Sequence, residues 1–317
     1  QVKNRLNATD PNAFVVGETL CPLDQAIDVP ADMIYTLLVD HHVHTFNAGT
    51  FINIFEEIHR IYSPGTVGMA YFENHDSVRA TLEWHRMFND QMLADPTLAH
   101  YWSAQAAAVL NAQQLDCTWD LAYFPALLKN IMSSLINCTA GTQEAVLFSY
   151  AIELGTDWGE EARTDFENEN ILYPDNRTKP PHSFLHDGYM RLAEIKKQYP
   201  VFHRGRVFYM RNDRPHGDPN DKLLVYGKYD ADTTLVVAAN LDLANAHQGR
   251  YDLDFIEIDT TAVYEMRVLF NTFALFKSPQ RFPTPQEMHG SILKDNGLPL
   301  LISPLCATVI EISKKKN

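Results

Sequence analysis

Apolar residues along this chain keep two different rhythms, and the change between them falls near residue 203. Before that point, short solid apolar runs alternate with segments whose apolar positions recur every three or four residues. Ala13 to Gly17 (AFVVG), Gly68 to Phe72 (GMAYF) and Ala145 to Leu154 (AVLFSYAIEL) are solid runs, the pattern of parallel strands buried on both faces. Met33 to Leu38 (MIYTLL) reads as a further strand or as a helix. Between them, Phe51, Ile54, Phe55, Ile58, Ile61 and Tyr62 share one helical face, and Ser63-Pro64-Gly65 ends that helix. Helices are also expected over residues 77–88, 98–114, 121–136 and 183–199, the last with Ser183 as its N-cap. Residues 2–6 (VKNRL) read as the last turns of a helix, as though the chain began inside a fold.

After residue 203 the period becomes two. LLVYGKY at 223–229, TLVVAANLD at 234–242, YDLDFIEI at 251–258, VYEMRVLF at 263–270 and LCATVIEI at 305–312 predict an antiparallel sandwich with short turns such as DADT at 230–233. The loop RNDRPHGDPND at 211–221 reads as a hairpin connection. The pattern as a whole predicts an α/β unit over 1–203 followed by an all-β unit over 204–317.

Composition narrows the function. Of 317 residues, 45% are hydrophobic and 21% charged, which supports a sizeable core. The net charge of −14 disfavours nucleic-acid phosphates and anionic membranes as partners. No apolar run reaches the roughly 18 residues of a membrane span. The cysteines Cys21, Cys117, Cys138 and Cys306 are scattered without a CxxC, which argues against a disulfide framework and points to a reducing, cytoplasmic setting.

The candidate chemistry sits where apolar runs end. AFVVG leads directly into Glu18, AYFE leads into Asn74-His75-Asp76, and AVLFSYAIELG leads into Thr156-Asp157-Trp158. In a parallel barrel those ends open on one face, where active sites gather. Two carboxylates on one rim acquire different pKa values, so that one serves as an acid while the other stays ionised, as glycoside hydrolysis requires.

On these segments the sequence resembles the α-amylase superfamily, the retaining glycoside hydrolases of family 13. FVVGETL at 14–20 resembles the third motif region of that family and YFENHDSVR at 71–79 its fourth. ELGTDWGEE at 153–161 is similar to the segment after its eighth barrel strand. The resemblance implies the C-terminal half of a (β/α)8 TIM barrel, about strands five to eight, followed by a β-sandwich domain. It makes Glu18 the general acid/base, Asp76 the carboxylate that grips sugar hydroxyls in the transition state, and His75 a sugar ligand, with Asn74, Arg79 and Trp158 as further substrate contacts. KLLVYGKYDADTTLVVAANLDLANAHQG at 222–249 resembles maltosyltransferases that extend α-glucan from maltose 1-phosphate, although those carry a different sequence in place of NHD.

The implied ligand is an α-glucan or maltooligosaccharide, with no cofactor and no metal. The nucleophilic Asp of the family has no counterpart here. It is expected upstream of Gln1, in the other half of the barrel, which would leave this chain inactive alone. A non-catalytic scaffold that binds glucan or a protein is the alternative. Other readings stay open at single residues. Asp76 could cap the helix from Ser77, Arg79 could pair with a carboxylate, and Trp158 could pack instead of stacking on sugar. His41 and His44 read as solvent-facing or core histidines more readily than as a metal pair. The acids at 157–161 and 165–169 read as a solvated loop in preference to a Ca²⁺ site. The sequons at Asn7, Asn137 and Asn176 would matter only in a secreted protein.

Overall fold

In a computed structural model of the protein, the described residues are 2–13, 16–17, 33–36, 44–61, 66–73, 78–114, 119–142, 146–150, 156–159, 161, 184–210, 220–275 and 287–315. Four strands, β1 (Val16–Gly17), β2 (Met33–Thr36), β3 (Thr66–Ala70) and β4 (Val146–Tyr150), form one parallel sheet in chain order. Gly17 pairs with Ile34, Ile34 with Gly68 and Gly68 with Phe148, so all four strands run level. Met33–Thr36 is therefore strand and not helix. Described helices lie between β2 and β3 and between β3 and β4, the parallel strand–helix alternation from which a (β/α) barrel is built.

Before the sheet comes α1 (Val2–Thr9). The helices that follow are α2 (Ala48–Ile61), α3 (Ala80–Ala94), α4 (Pro96–Gln113), α5 (Tyr123–Thr139) and α6 (Phe184–Gln198). Helix α2 starts three residues before its first large apolar side chain because the Asn47 side chain accepts from the Thr50 N–H at 3.0 Å. Asp95 caps α4 in the same way, accepting from the Thr97 and Leu98 N–H groups at 2.9 and 3.3 Å. Helix α3 begins at Ala80 and not at Ser77, with Arg79 in the cap position. Asp76, a possible cap for a helix from Ser77, lies outside the described residues.

Helix α7 (Val201–Arg204) leads into a six-stranded antiparallel sheet of order β10-β9-β12-β7-β6-β5 and a two-stranded pair, β11-β8. The strands are β5 (Arg206–Met210), β6 (Leu223–Tyr229), β7 (Thr234–Asn240), β8 (His247–Tyr251), β9 (Val263–Asn271), β10 (Glu287–His289), β11 (Leu298–Ile302) and β12 (Ala307–Lys314). Short helices α8 (Thr272–Leu275) and α9 (Gly290–Asn296) lie between them. Strands β5 and β6 pair antiparallel, as the hairpin reading of 211–221 requires, although residues 211–219 lie outside the described set.

The strand expected at 251–258 is absent. The chain pairs earlier, over His247–Tyr251, and then turns, with the Ile256 N–H bonded to the Leu253 carbonyl at 3.1 Å. Alternating apolar residues there find a different use. Phe255 lays its ring over Gly227 of β6, where any Cβ would lie 2.3 Å from the ring, and stacks on Phe208 at 5.4 Å.

One polar seam joins the parallel and antiparallel parts. Lys228 of β6 donates to the carbonyl of Gly141, just past the C-terminal end of α5, and to that of Gly205, at the end of α7. Tyr226 bonds Thr139 at 2.5 Å, and the Tyr209 hydroxyl donates to the Ala140 carbonyl at 2.9 Å. His59 of α2 meets Tyr209 at 2.9 Å, and burial holds its pKa down at about 4, so it is neutral at pH 7. Tyr209 and Lys228 thus satisfy the Ala140 and Gly141 carbonyls past the helix end, and Tyr226 holds the side chain of Thr139. Further along, Trp102 of α4 donates to the Leu243 carbonyl at 3.1 Å, and Asp221 accepts from Asn47 at 2.8 Å.

Helix α5 is buried on nearly every side, polar residues included. Its Lys129 is fully buried and makes no hydrogen bond, and its Nζ lies 4.7 Å from the Phe46 ring centroid and 5.9 Å from those of Phe51 and Trp84. Burial pushes its pKa down to about 7. Asn137 is also fully buried, so its sequon cannot carry a glycan in this fold. Among the described residues no helix is long and apolar enough to cross a membrane.

Lys129 makes stability pH-dependent. The unfolded chain keeps this amine protonated up to about pH 10.4, whereas the folded chain releases the proton above about pH 7. The unfolded state then binds more protons, so the contribution of Lys129 improves as pH rises from 7 towards 10. Lys129→Met is expected to be more stable than wild type by about 1–3 kcal/mol at pH 7 in urea unfolding, with a gap that closes by pH 10. A less stable variant would show that the aromatic faces outweigh the cost of burial.

Candidate active site

The sequence-predicted site lies around the loop after β3. Tyr71 and Phe72 are buried, Phe72 against Trp84 at 5.4 Å between ring centroids. Glu73 follows, 4% exposed, and Arg79 is 1% exposed. The Arg79 guanidinium donates to Glu73 Oε1 at 3.0 Å, so the two ends of the EN-HDSV-R segment are bolted together. Arg79 thus takes the carboxylate-pairing option that its sequence left open. The other Glu73 oxygen accepts from the Ala80 N–H at 2.8 Å, placing a carboxylate at the N-terminus of α3, where the helix dipole favours it.

The same carboxylate reaches a second loop. The Thr156 hydroxyl donates to Glu73 Oε1. Thr156 opens the 3-10 turn Thr156–Trp158, which follows β4 in the chain. The Thr156 carbonyl accepts from Asn130 of α5 at 3.0 Å, and Asn130 also donates to Thr81 at 3.0 Å. Tyr189 of α6 donates to the Asn130 side chain at 2.6 Å and accepts from Ser134 at 2.5 Å. Burial pushes the Glu73 carboxyl up, and Arg79, Thr156 and the Ala80 N–H all pull it back. Glu73 therefore acts as an acceptor hub. With both oxygens engaged and no water access it is poorly placed to move protons.

Two imidazole–carboxylate pairs flank this turn. His85 Nδ1 lies 2.7 Å from Glu161, and His186 Nδ1 lies 2.6 Å from Asp157. Half-buried Trp158 stacks on the His186 ring, with centroids 5.0 Å apart and planes 11° apart. Both Asp157 and Glu161 are thus occupied by histidines. Among the described residues no group of three or more His, Cys, Asp or Glu could hold a metal ion.

Glu18, Asn74, His75 and Asp76 lie outside the described residues, as do Ser77, His41 and the acids at 165–169. His44 is exposed. What the sequence reading missed is the frame: Glu73, Thr156, Asn130 and Tyr189. The clue available for Glu73 was an acid and an Arg bracketing one short polar segment.

No family model matches the sequence. Over 83 residues, 26% of this chain and 12% of the other protein, it is 26% identical to an α-1,4-glucan:maltose-1-phosphate maltosyltransferase from Picrophilus torridus. Solved structures align along almost the whole chain. The α-amylase of Geobacillus thermoleovorans, complexed with acarbose, matches with a TM-score of 0.61 and 13% identity, covering 99% of this chain and 56% of its own. An Anoxybacillus α-amylase gives 0.62, 13%, 99% and 55% in the same order, and a debranching enzyme from Nostoc punctiforme gives 0.60, 12%, 97% and 53%. The chain spans about half the length of these solved structures. It therefore has the fold of one part of an α-amylase: a partial (β/α) barrel with an antiparallel β domain.

Removing one charge from the buried pair strands the other. Arg79→Met is expected to lose about 3–5 kcal/mol in urea unfolding at pH 7. A loss below about 1 kcal/mol, the range of exposed pairs, would contradict the burial seen here.

Proposed function

We propose that this chain is one half of the catalytic apparatus of a retaining α-glucan-active enzyme, a hydrolase or a transglycosylase. In this reading residues 1–203 carry the site and residues 204–317 form the β domain. The observation that carries it is the register of the parallel sheet. Gly17 and Gly68 both pair with Ile34, so β1 and β3 are level, one strand apart and pointed the same way. Glu18 is the next residue after Gly17, and the NHD segment begins four residues after Ala70. Strands two places apart lie about 10 Å from each other, within the span of one bound sugar and two side chains. Likeness of fold to α-amylases and the short likeness to a maltosyltransferase support the same class.

Glu18 would protonate the leaving glycosidic oxygen and then deprotonate the acceptor, while Asp76 and His75 hold the sugar in its oxocarbenium-like form. Arg79 enters as the clamp of the loop, its guanidinium on Glu73 and not on the sugar. Trp158, stacked on His186, would be a further sugar contact. The glycosyl–enzyme ester requires a nucleophilic Asp that matches no motif in these 317 residues. We place it in a further segment of the barrel, in a cytoplasmic protein.

The test is calorimetric titration of the 317-residue chain with maltoheptaose, alongside a reducing-sugar assay. The expected result is binding without turnover, with affinity reduced about tenfold or more in Asp76→Ala. Absence of binding would overturn the glucan reading. Turnover that disappears in Glu18→Gln would show that the chain supplies its own nucleophile. Binding unchanged in both Asp76→Ala and Glu18→Gln would favour a non-catalytic scaffold.

A further inference from the structure

Tyr209 of β5 sits where the antiparallel sheet meets α2 and the end of α5. Two α2 side chains one turn apart lie along its ring: Phe55, with centroids 5.6 Å and planes 18° apart, and His59, at 6.0 Å and 20°. The Tyr209 hydroxyl spends its hydrogen on the Ala140 carbonyl, so the His59 Nε2–H donates to its oxygen. Beside them Lys228, with no exposed surface, holds the Gly141 and Gly205 carbonyls. The junction is rich in bases. Lys228 of β6 acts on His59 and on His203 of α7, and Lys196 of α6 acts on Lys228 and His203. Against them stand the exposed Glu56 carboxylate and the Ala140 carbonyl, which favour a charged His59. Burial keeps the Tyr209 and Tyr226 phenols neutral and pushes the Cys138 thiol up to about 11, so none of these supplies an anion.

We propose that the junction between the parallel and antiparallel parts is an acid-released latch, in which charging of His59 beside Lys228 frees strand β5 from α2 and from the end of α5. Nothing in this latch depends on what the protein binds. In the closed junction, burial and the Lys228 ammonium let His59 take its second proton only near pH 4, whereas an opened junction returns it to water and to its ordinary value of 6.5. The open state therefore binds more protons between pH 4 and 6.5. Opening gains up to about tenfold for each pH unit that the solution falls through that window. Burial holds the Lys228 pKa down at about 7, so Lys228 is charged throughout the window and contributes repulsion there without a pH dependence of its own. His203 is exposed and bonded to the Lys196 carbonyl at 3.0 Å, so it meets water with the junction open or closed.

The experiment is amide hydrogen exchange of the 317-residue chain between about pH 7 and pH 4, corrected for the pH dependence of intrinsic exchange, comparing β5 (206–210) with β3 (66–70). Protection of β5 is expected to fall more than about tenfold between about pH 6.5 and 4.5, while that of β3 changes by less than about threefold. His59→Gln, whose amide can still donate to Tyr209, is expected to cut the fall at β5 to within about twofold, and His203→Gln to leave it as in wild type. If His59→Gln does not fold, the wild-type imidazole is followed by NMR, and it is expected to charge with a midpoint below about pH 5, together with the loss of protection at β5. The proposal is overturned by β5 protection that holds to about pH 4, by an equal fall at β3, by a fall that persists in His59→Gln or vanishes in His203→Gln, or by an imidazole that charges while β5 stays protected.

Discussion

A guanidinium and a carboxylate, both almost without solvent, lock the loop after β3: Arg79 and Glu73 at 3.0 Å. Ion pairs at such depth stabilise a fold weakly against an apolar replacement, because each charge forfeits its hydration. What they do well is fix geometry, since only one arrangement satisfies both partners. Here the carboxylate also accepts from the first N–H of α3 and from the Thr156 hydroxyl. A single side chain thereby ties the residue just after Phe72 to the start of α3 and to the turn after β4.

The rest of the molecule is arranged behind that hub. Helix α5 supplies Asn130, which passes the constraint to α6 through Tyr189. The end of the same helix is held by Lys228, Tyr226 and Tyr209 from the β domain. The antiparallel sheet is therefore more than an appendage. It satisfies two carbonyls just past the helix that supports the site, and so joins the two parts of the chain through specific bonds in addition to shared apolar core.

How much of this could be read from sequence differed from element to element, for physical reasons. The parallel strands β1, β3 and β4 showed as solid apolar runs, the pattern of strands laid side by side in a parallel sheet, and the hairpin from β6 to β7 showed through its apolar residues and the Asp230 turn. The strand expected at 251–258 failed because alternation reports a half-buried face without naming its partner, and Phe255 found Gly227 instead of a neighbouring strand. Helix starts shifted by about three residues at two places: earlier at α2, which Asn47 caps, and later at α3, whose first N–H goes to Glu73. Helix α5 carries Lys129, Asn130, Ser133, Ser134 and Asn137, all buried although polar, and the sequence reading assigned this helix no face. The acids that sequence offered as candidates were legible because they follow strand ends. Glu73, three residues before Asp76, was passed over, since its one local sign, an Arg closing the same short segment, does not by itself separate an acid that reacts from one that braces.

The functional account joins an observed frame to two residues, Glu18 and Asp76, which follow level strands of one sheet. Its most direct test is a crystal structure of the chain with maltoheptaose. The account predicts one glucose ring hydrogen-bonded by Asp76 and approached by Glu18 at its glycosidic oxygen, with Glu73 still bonded to Arg79 and Thr156 beneath them. Sugar bound elsewhere, or the two carboxylates turned into separate cavities, would contradict it.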